Sequence, residues 1–203
     1  MIQRDQDVLL QIVCHAVQAS VYSSPVGEIP DACWDEWQQA VRDSDELQHK
    51  GACFVTLQTA DTALRGCIGS LQALRPLWRD AALNAGAAAA KDPRFAPVTQ
   101  AELASLQVEI SVLGKPQELE YSNYHELCQR LVPHEDGVVL SLRGRRATFL
   151  PQVWQRLPNP EVFLNQLCRK AGLSSASWRN EHPAIAIYNV YTIGPCEISR
   201  YVA

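Results

Sequence analysis

Gly51-Ala52-Cys53-Phe54-Val55-Thr56-Leu57-Gln58-Thr59 and Leu64-Arg65-Gly66-Cys67-Ile68-Gly69-Ser70 are two β-rich runs separated by a polar stretch around Asp61 and Thr62. Two such runs joined by a short polar connection predict an antiparallel hairpin. With the turn centred on Asp61-Thr62, Ala60 pairs with Ala63, Gln58 stands opposite Arg65, and Thr56 stands opposite Cys67. Strand alternation then sends Val55, Leu57, Leu64 and Ile68 toward a core and Thr56, Gln58, Arg65 and Cys67 to the other face.

That second face carries chemistry. Residues two apart on a strand are roughly 7 Å apart at Cα, close enough for the Arg65 guanidinium to favour the Cys67 thiolate. Gly66 and Gly69 flank the thiol, and each leaves room for a ligand or another backbone. The same residues also have a plain structural reading, in which the glycines mark a bulge, Arg65 is solvated charge and Cys67 fills space. Gly66-Cys67-Ile68-Gly69 has the bare spacing of the KH-module loop, but it lies between strand residues rather than between helices. It is not a P-loop, which needs Gly-Lys-Ser/Thr leading into a helix.

Outward from the hairpin, Val8, Leu9, Ile12, Val13, Ala16 and Val17 recur at helical spacing and predict an amphipathic helix over 5–21. Pro25, Gly27 and Pro30 break the chain, and Asp31 can cap a second helix with Trp34, Trp37, Ala40 and Val41 on one face. Pro76 suits the start of an alanine-rich helix to about Lys91, which Pro93 ends. Asp92-Pro93-Arg94-Phe95 is then a rigid loop. Thr99-x-x-Glu102 is a capping-box pattern ahead of a strand at 106–113, whose polar side carries Glu109 and Ser111. A short helix is expected at 124–131, a second hairpin at 137–149 turning near Arg143-Gly144-Arg145, and a helix from Pro160 stopped by Gly172. The run 184–193 reads as one strand returning to the main sheet. Helices interspersed with antiparallel hairpins give an α+β layered fold.

The chain has 203 residues, 47% hydrophobic and 20% charged, enough for one sizeable core and short for two independent domains. A net charge of -4 gives no broad attraction to nucleic acid or an anionic membrane, so nucleic acid is not an expected partner. Residues 1–7 are charged, and no run approaches the roughly 18 apolar residues of a membrane span, so a cytoplasmic, unanchored protein is expected. Seven cysteines, odd in number and without Cys-x-x-Cys spacing, fit reduced thiols. The five histidines form no recognisable ligand pattern, and neither a metal nor a cofactor is expected.

Phe54-Val55-Thr56-Leu57, Leu64-Arg65-Gly66-Cys67-Ile68-Gly69 and Asp92-Pro93-Arg94-Phe95 together resemble the signature of the AMMECR domain family. Glu109-Ile110-Ser111-Val112-Leu113, Asp136-Gly137, Phe149-Leu150-Pro151-Gln152-Val153 and Lys170-Ala171-Gly172-Leu173 resemble its later blocks in order, over nearly the whole chain. Two places depart from it: His134-Glu135 stands where members often carry a glycine, and 195–203 is not a familiar ending. The resemblance implies a single domain over 1–203, built of two α+β subdomains enclosing a cleft near the Arg-Gly-Cys-Ile-Gly segment. It also implies an A component of the AmmeMemoRadiSam system, working with a Memo-type protein and a radical SAM enzyme. The family has no established biochemical activity.

Two functional readings follow. In the first, the chain is a thiol-dependent accessory enzyme acting on a small-molecule ligand. Cys67, Arg65 and Glu109 are its candidate catalytic residues, and Thr56, Gly66, Gly69, Asp92 and Arg94 line the substrate. In the second, it is a non-catalytic module that docks a protein partner through the same hairpin and loop. Arg94 is read evenly as an anion contact or a loop clamp, and Asp92 as a loop organiser accepting backbone N–H groups. Glu109 can pair with Arg65 or Arg94, face water, or accept a proton if buried beside Cys67. His134 and His182 are bases only if folded against Cys67, and Arg143, Arg145 and Arg146 read as solvated charge.

Overall fold

The fold is that of a computed structural model describing residues 1–22 and 31–202, with the side chains of 31–36 excepted. The predicted break at Pro25, Gly27 and Pro30 and the side chain of Trp34 therefore lie outside the described residues. The chain divides into two compact units, Met1–Val112 with Thr192–Ala203, and Leu113–Tyr191.

The first unit opens with α1 (Gln3–Val21), α2 (Asp31–Arg42) and α3 (Asp45–Gln48), then runs β1 (Lys50–Gln58), β2 (Leu64–Gly69), β3 (Arg75–Pro76), α4 (Leu77–Ala90), α5 (Gln100–Leu103) and β4 (Gln107–Leu113). The second unit contains β5 (Gln117–Glu118), α6 (Tyr124–Arg130), β6 (Gly137–Leu142), β7 (Arg145–Phe149), α7 (Pro160–Lys170), α8 (Ser177–Asn180) and β8 (Ala184–Tyr188). β9 (Val190–Glu197) carries the chain back into the first.

The first sheet has the order β2-β1-β4-β9, with β3 beside the start of β1. α4 packs on β1 and β2, and α1 packs on α4. Their shared core holds Val8, Leu9, Ile12 and Val13 of α1, Val55 and Leu57 of β1, Ala81, Ala85 and Ala88 of α4, and Val108 and Ile110 of β4. α4 is rich in alanine because it lies close to the sheet. A side chain at Gly66 would place its Cβ 2.3 Å from the Ala88 carbonyl oxygen, so this position tolerates only hydrogen.

The hairpin forms with Thr56 opposite Cys67 and Val55 opposite Ile68. Its turn end differs from the expected register. Leu57 faces Gly66 and Gln58 faces Leu64, so Arg65 is the extra residue of a β-bulge, and Thr59 rather than Ala60 bonds across to Ala63. The bulge moves Leu64 to the side of Gln58 and Thr56. Leu64 is therefore exposed, against the expectation that it faces the core.

The second sheet has the order β5-β8-β6-β7, with Val138 opposite Ile187 and Phe149, and Leu140 opposite Ile185 and Ala147. Its core gathers Val138, Leu140, Phe163, Leu164, Leu167 and Trp178 around Trp154, whose ring stacks on Phe163 at 3.7 Å. Asn159 caps α7 by accepting from the Glu161 and Val162 N–H groups, with Pro160 at the first helical position. Gly172 ends the helix region with φ +73. The predicted single strand at 184–193 is corrected: it is two strands broken at Asn189, β8 belonging to the second sheet and β9 to the first.

Candidate functional site

β2 is the edge strand of the first sheet, so the backbone groups of Cys67 that turn away from β1 need partners from elsewhere. The loop after α4 supplies them. The Cys67 N–H donates to Asp92 Oδ2 at 2.8 Å, and Arg94 Nη2 donates to the Cys67 carbonyl at 3.3 Å. Arg94 and Asp92 are joined in turn by a two-pronged ion pair, Nε to Oδ1 at 2.9 Å and Nη2 to Oδ2 at 2.7 Å. Asp92 also accepts the Arg94 N–H at 3.0 Å, as the reading of a loop organiser expects. One carboxylate and one guanidinium thus pair with Cys67 as a neighbouring strand would.

The carboxyl of Asp92 is held far below the usual range by its hydrogen bonds from Arg94, with the Cys67 and Arg94 N–H groups adding to the effect and burial opposing it. The Arg94 guanidinium is raised in turn, chiefly by Asp92.

Arg65 forms a second clamp of the same kind. Its Nε and Nη2 bind Glu102 at 2.6 and 3.2 Å, its Nη1 donates to the Ala96 carbonyl at 3.0 Å, and its Nη2 donates to the Pro97 carbonyl at 3.3 Å. Glu102 is the capping-box residue of α5 and also accepts from the Thr99 N–H at 2.8 Å. Its carboxyl is lowered to about 2, first by Arg65 and then by that N–H. Phe95 lies between the two clamps, with Arg65 and Arg94 at 5.9 and 5.5 Å from its ring centroid.

Within this frame the Cys67 side chain is half-buried, and it accepts a hydrogen bond from Thr56 Oγ1 at 3.4 Å. Both side chains lie on the sheet face opposite Val55 and Leu57, away from α1 and α4. Alternation along β4 puts Glu109 on that face too, because its neighbours Val108 and Ile110 are in the core. Glu109 makes no hydrogen bond or ion pair to Arg65, Arg94 or Cys67 among the described residues. The space beside Gly66 belongs to Ala88, and the space beside Gly69 to the Phe54 ring, which would lie 2.2 Å from a Cβ added there. At Gly66 another backbone thus makes the close approach, one of the two expected occupants, and at Gly69 the ring of Phe54 does.

A buried polar cluster escapes sequence reasoning. Asp80, 1% exposed, accepts from the Cys53 N–H at 3.1 Å, Ser70 Oγ at 2.8 Å and Asn84 Nδ2 at 2.9 Å, and pairs with Arg75 at 3.5 Å. Burial above all, then the Asp80 charge, pushes the Cys53 thiol up. The available signal is an Asp and an Asn four residues apart on an otherwise alanine-rich helix.

In the second unit, a groove of about 580 Å³ is lined by Glu118, Glu120, Tyr121, Glu126, Arg130 and His182 among others. Four of these side chains are engaged internally. Glu126 pairs with Arg130 at 2.7 Å, Tyr121 Oη donates to the Pro183 carbonyl at 2.6 Å, and the His182 ring stacks on Tyr121 at 4.2 Å. None of the catalytic or substrate-lining candidates of the hairpin and its loop lines it. Arg143 pairs with Glu181 and Arg145 donates to the Gly172 carbonyl, so two of the three hairpin arginines tie loops down. Among the described residues no group of three or more His, Cys, Asp or Glu side chains is arranged to hold a metal ion. No helix among them is long and apolar enough to cross a membrane.

The chain is thus an α+β protein whose edge-strand cysteine is bonded by one arginine–carboxylate clamp, with a second clamp at the preceding arginine. The AMMECR1 family pattern matches residues 28–193, and the chain belongs to that family. A protein of Thermofilum pendens is 36% identical over 156 residues, covering 70% of each chain. One from Nanoarchaeum equitans is 29% identical over 183 residues, covering 88% of this chain and 91% of its own. The crystal structure of an uncharacterised protein from Pyrococcus horikoshii superposes with a TM-score of 0.70 at 29% identity, over 91% of this chain and 88% of that one.

Proposed function

We propose that the protein is a thiol-dependent accessory enzyme in which Cys67 engages a small anionic substrate. The observation that carries this reading is the Thr56 hydroxyl donating to Cys67 Sγ at 3.4 Å, on a half-buried face free of the core helices. The thiolate is the nucleophilic form of a cysteine, and its sulfur can accept a hydrogen bond from a hydroxyl. The Arg94 side chain is 53% exposed, so its guanidinium can reach a substrate carboxylate or phosphate. Arg65, whose donors go to Glu102, Ala96 and Pro97, is a positioning residue rather than an activator of the thiol. Glu109 stands on the same face as a reserve proton acceptor. A reducing cytoplasm is the compartment this reading requires.

The test is retention of a small molecule from a soluble cell extract, read by peptide mapping of the purified protein. An adduct on the Cys67 peptide that disappears in Cys67→Ser supports the proposal. Equal retention by wild type and Cys67→Ser contradicts it.

A second reading is a docking module for a Memo-type protein and a radical SAM enzyme, the partners that family resemblance suggests. It is favoured by the internal commitment of Arg65, Asp92, Arg94 and Glu102, which makes a rigid surface, and by the exposed Leu71 and Leu74 just beyond β2. In a pull-down with those two proteins, this reading expects Arg65→Ala or Arg94→Ala to abolish capture and Cys67→Ala to leave it intact.

A further inference from the structure

β5 stands at one end of the second sheet, and among the described residues β8 is its one strand neighbour. Glu118 faces Ala186 across that pair, and the next residue, Leu119, donates its N–H to the Ile185 carbonyl at 2.9 Å. Bonded and non-bonded pairs alternate in an antiparallel ladder, so the N–H and carbonyl of Glu118 turn away from β8 toward the open edge. Strand alternation puts Glu120 on the same face as Glu118, about 7 Å further along at Cα. Both glutamates are exposed, and neither carboxylate has a hydrogen bond or ion pair among the described residues.

The groove of about 580 Å³ runs beside this segment and adds a second, independent feature. Three carboxylates and one guanidinium line it, and Glu126 and Arg130 neutralise each other at 2.7 Å, so Glu118 and Glu120 leave it acidic. The rings of Tyr121 and His182, stacked at 4.2 Å, line the same groove and offer a surface on which aliphatic stems can lie.

We propose that this edge docks an extended basic segment of a protein partner, which adds to β5 by backbone hydrogen bonds and sets alternate lysine or arginine side chains against Glu118 and Glu120. Free backbone groups supply the affinity of such strand addition, and the side chains of alternate residues supply the choice of partner. A segment of Lys-x-Lys pattern matches two carboxylates two residues apart on one face. The same carboxylates reject a second β5, because edge-to-edge pairing of two copies sets glutamate against glutamate. The basic opposite end of the sheet is the poorer occupant: Arg145 of β7 is tied to the Gly172 carbonyl, and head-to-tail pairing of copies does not close. The proposal uses none of the residues around Cys67 and does not depend on their chemistry.

The experiment titrates the full chain with three fluorescent octapeptides: alternating lysine–threonine, alternating glutamate–threonine, and the first with every lysine methylated on its backbone nitrogen. Fluorescence anisotropy should show the plain lysine peptide binding about tenfold more tightly than either of the others, which carry like charges or lack the backbone donors. Hydrogen exchange at the Glu118 amide should slow when that peptide is bound. In the double variant Glu118→Lys, Glu120→Lys the preference should invert toward the glutamate peptide, a gain that a misfolded chain does not give. Equal binding of the plain and methylated lysine peptides, which reduces the site to general charge attraction, overturns the proposal. An unchanged preference in the double variant overturns it too, as does self-association in sedimentation that protects the Glu118 amide without peptide.

Discussion

Gly66 and Cys67 are adjacent residues with opposite duties, one facing α4 and the other facing away from it. Gly66 exists so that the Ala88 carbonyl can approach the strand. Gly66→Ala forces a backbone shift in either β2 or α4, and the expected destabilisation is about 3 kcal/mol, the upper end of the range for overpacked cores. Gly144→Ala is the contrasting case: its Cβ meets nothing, but its φ of +72 is left-handed, at a cost of about 1 kcal/mol. Urea denaturation midpoints of the two variants check the ordering. A Gly66→Ala protein as stable as wild type would contradict the close contact of helix and strand.

Among the elements, the loop at 92–95 does the work of a missing strand. Asp92 and Arg94 satisfy both outward backbone groups of Cys67 and so blunt the open edge of β2. Asp92→Asn weakens the ion pair and its bonds to the edge, and hydrogen exchange at the Cys67 amide should speed up by about ten- to a hundredfold, one hydrogen bond to a charged group being worth roughly 1.5–3 kcal/mol. Unchanged exchange there would mean that the edge is protected by something else. Acid should release both clamps in the same direction. Asp92 and Glu102 have folded pKa values below those of the unfolded chain, about 3.9 and 4.3. Their contribution is present above those values and is lost as pH falls through the folded ones, about 2 for Glu102.

For the molecule as a whole, the alternation of Val55, Thr56 and Leu57 is enough to place Thr56 opposite Cys67, because one face of β1 is fully buried and a register slip would expose it. The bulge at Arg65 is not legible in sequence, since it depends on which backbone groups pair near the turn and leaves no mark in side-chain polarity. The same holds for the break at Asn189. β8 and β9 are a continuous β-prone run in sequence, and only the existence of two sheets divides it. Asp92 and Arg94 can be read as a local clamp because they sit two residues apart. The pairing of Arg65 with Glu102 spans 37 residues and is hidden behind the capping-box role of Glu102. Asp80 is legible only as half of a pair with Asn84 one turn on, and its burial is not, because a carboxylate on a helix reads as solvent-facing until the fold covers it.

On the proposed reading Cys67 is a reactive thiol beside the Thr56 hydroxyl, and site-resolved alkylation distinguishes such a thiol from a space-filling one. Native protein is reacted with isotope-coded iodoacetamide, and the rate at each cysteine is read by mass spectrometry for wild type, Thr56→Val and Arg94→Gln. Cys67 should label well ahead of the buried Cys53 and Cys168. Thr56→Val should slow Cys67 by about three- to tenfold, the loss of one hydrogen bond of roughly 1 kcal/mol, while leaving Cys196 unchanged. A Cys67 rate no different from that of the buried thiols, or one untouched by Thr56→Val, would contradict a tuned thiol at this edge.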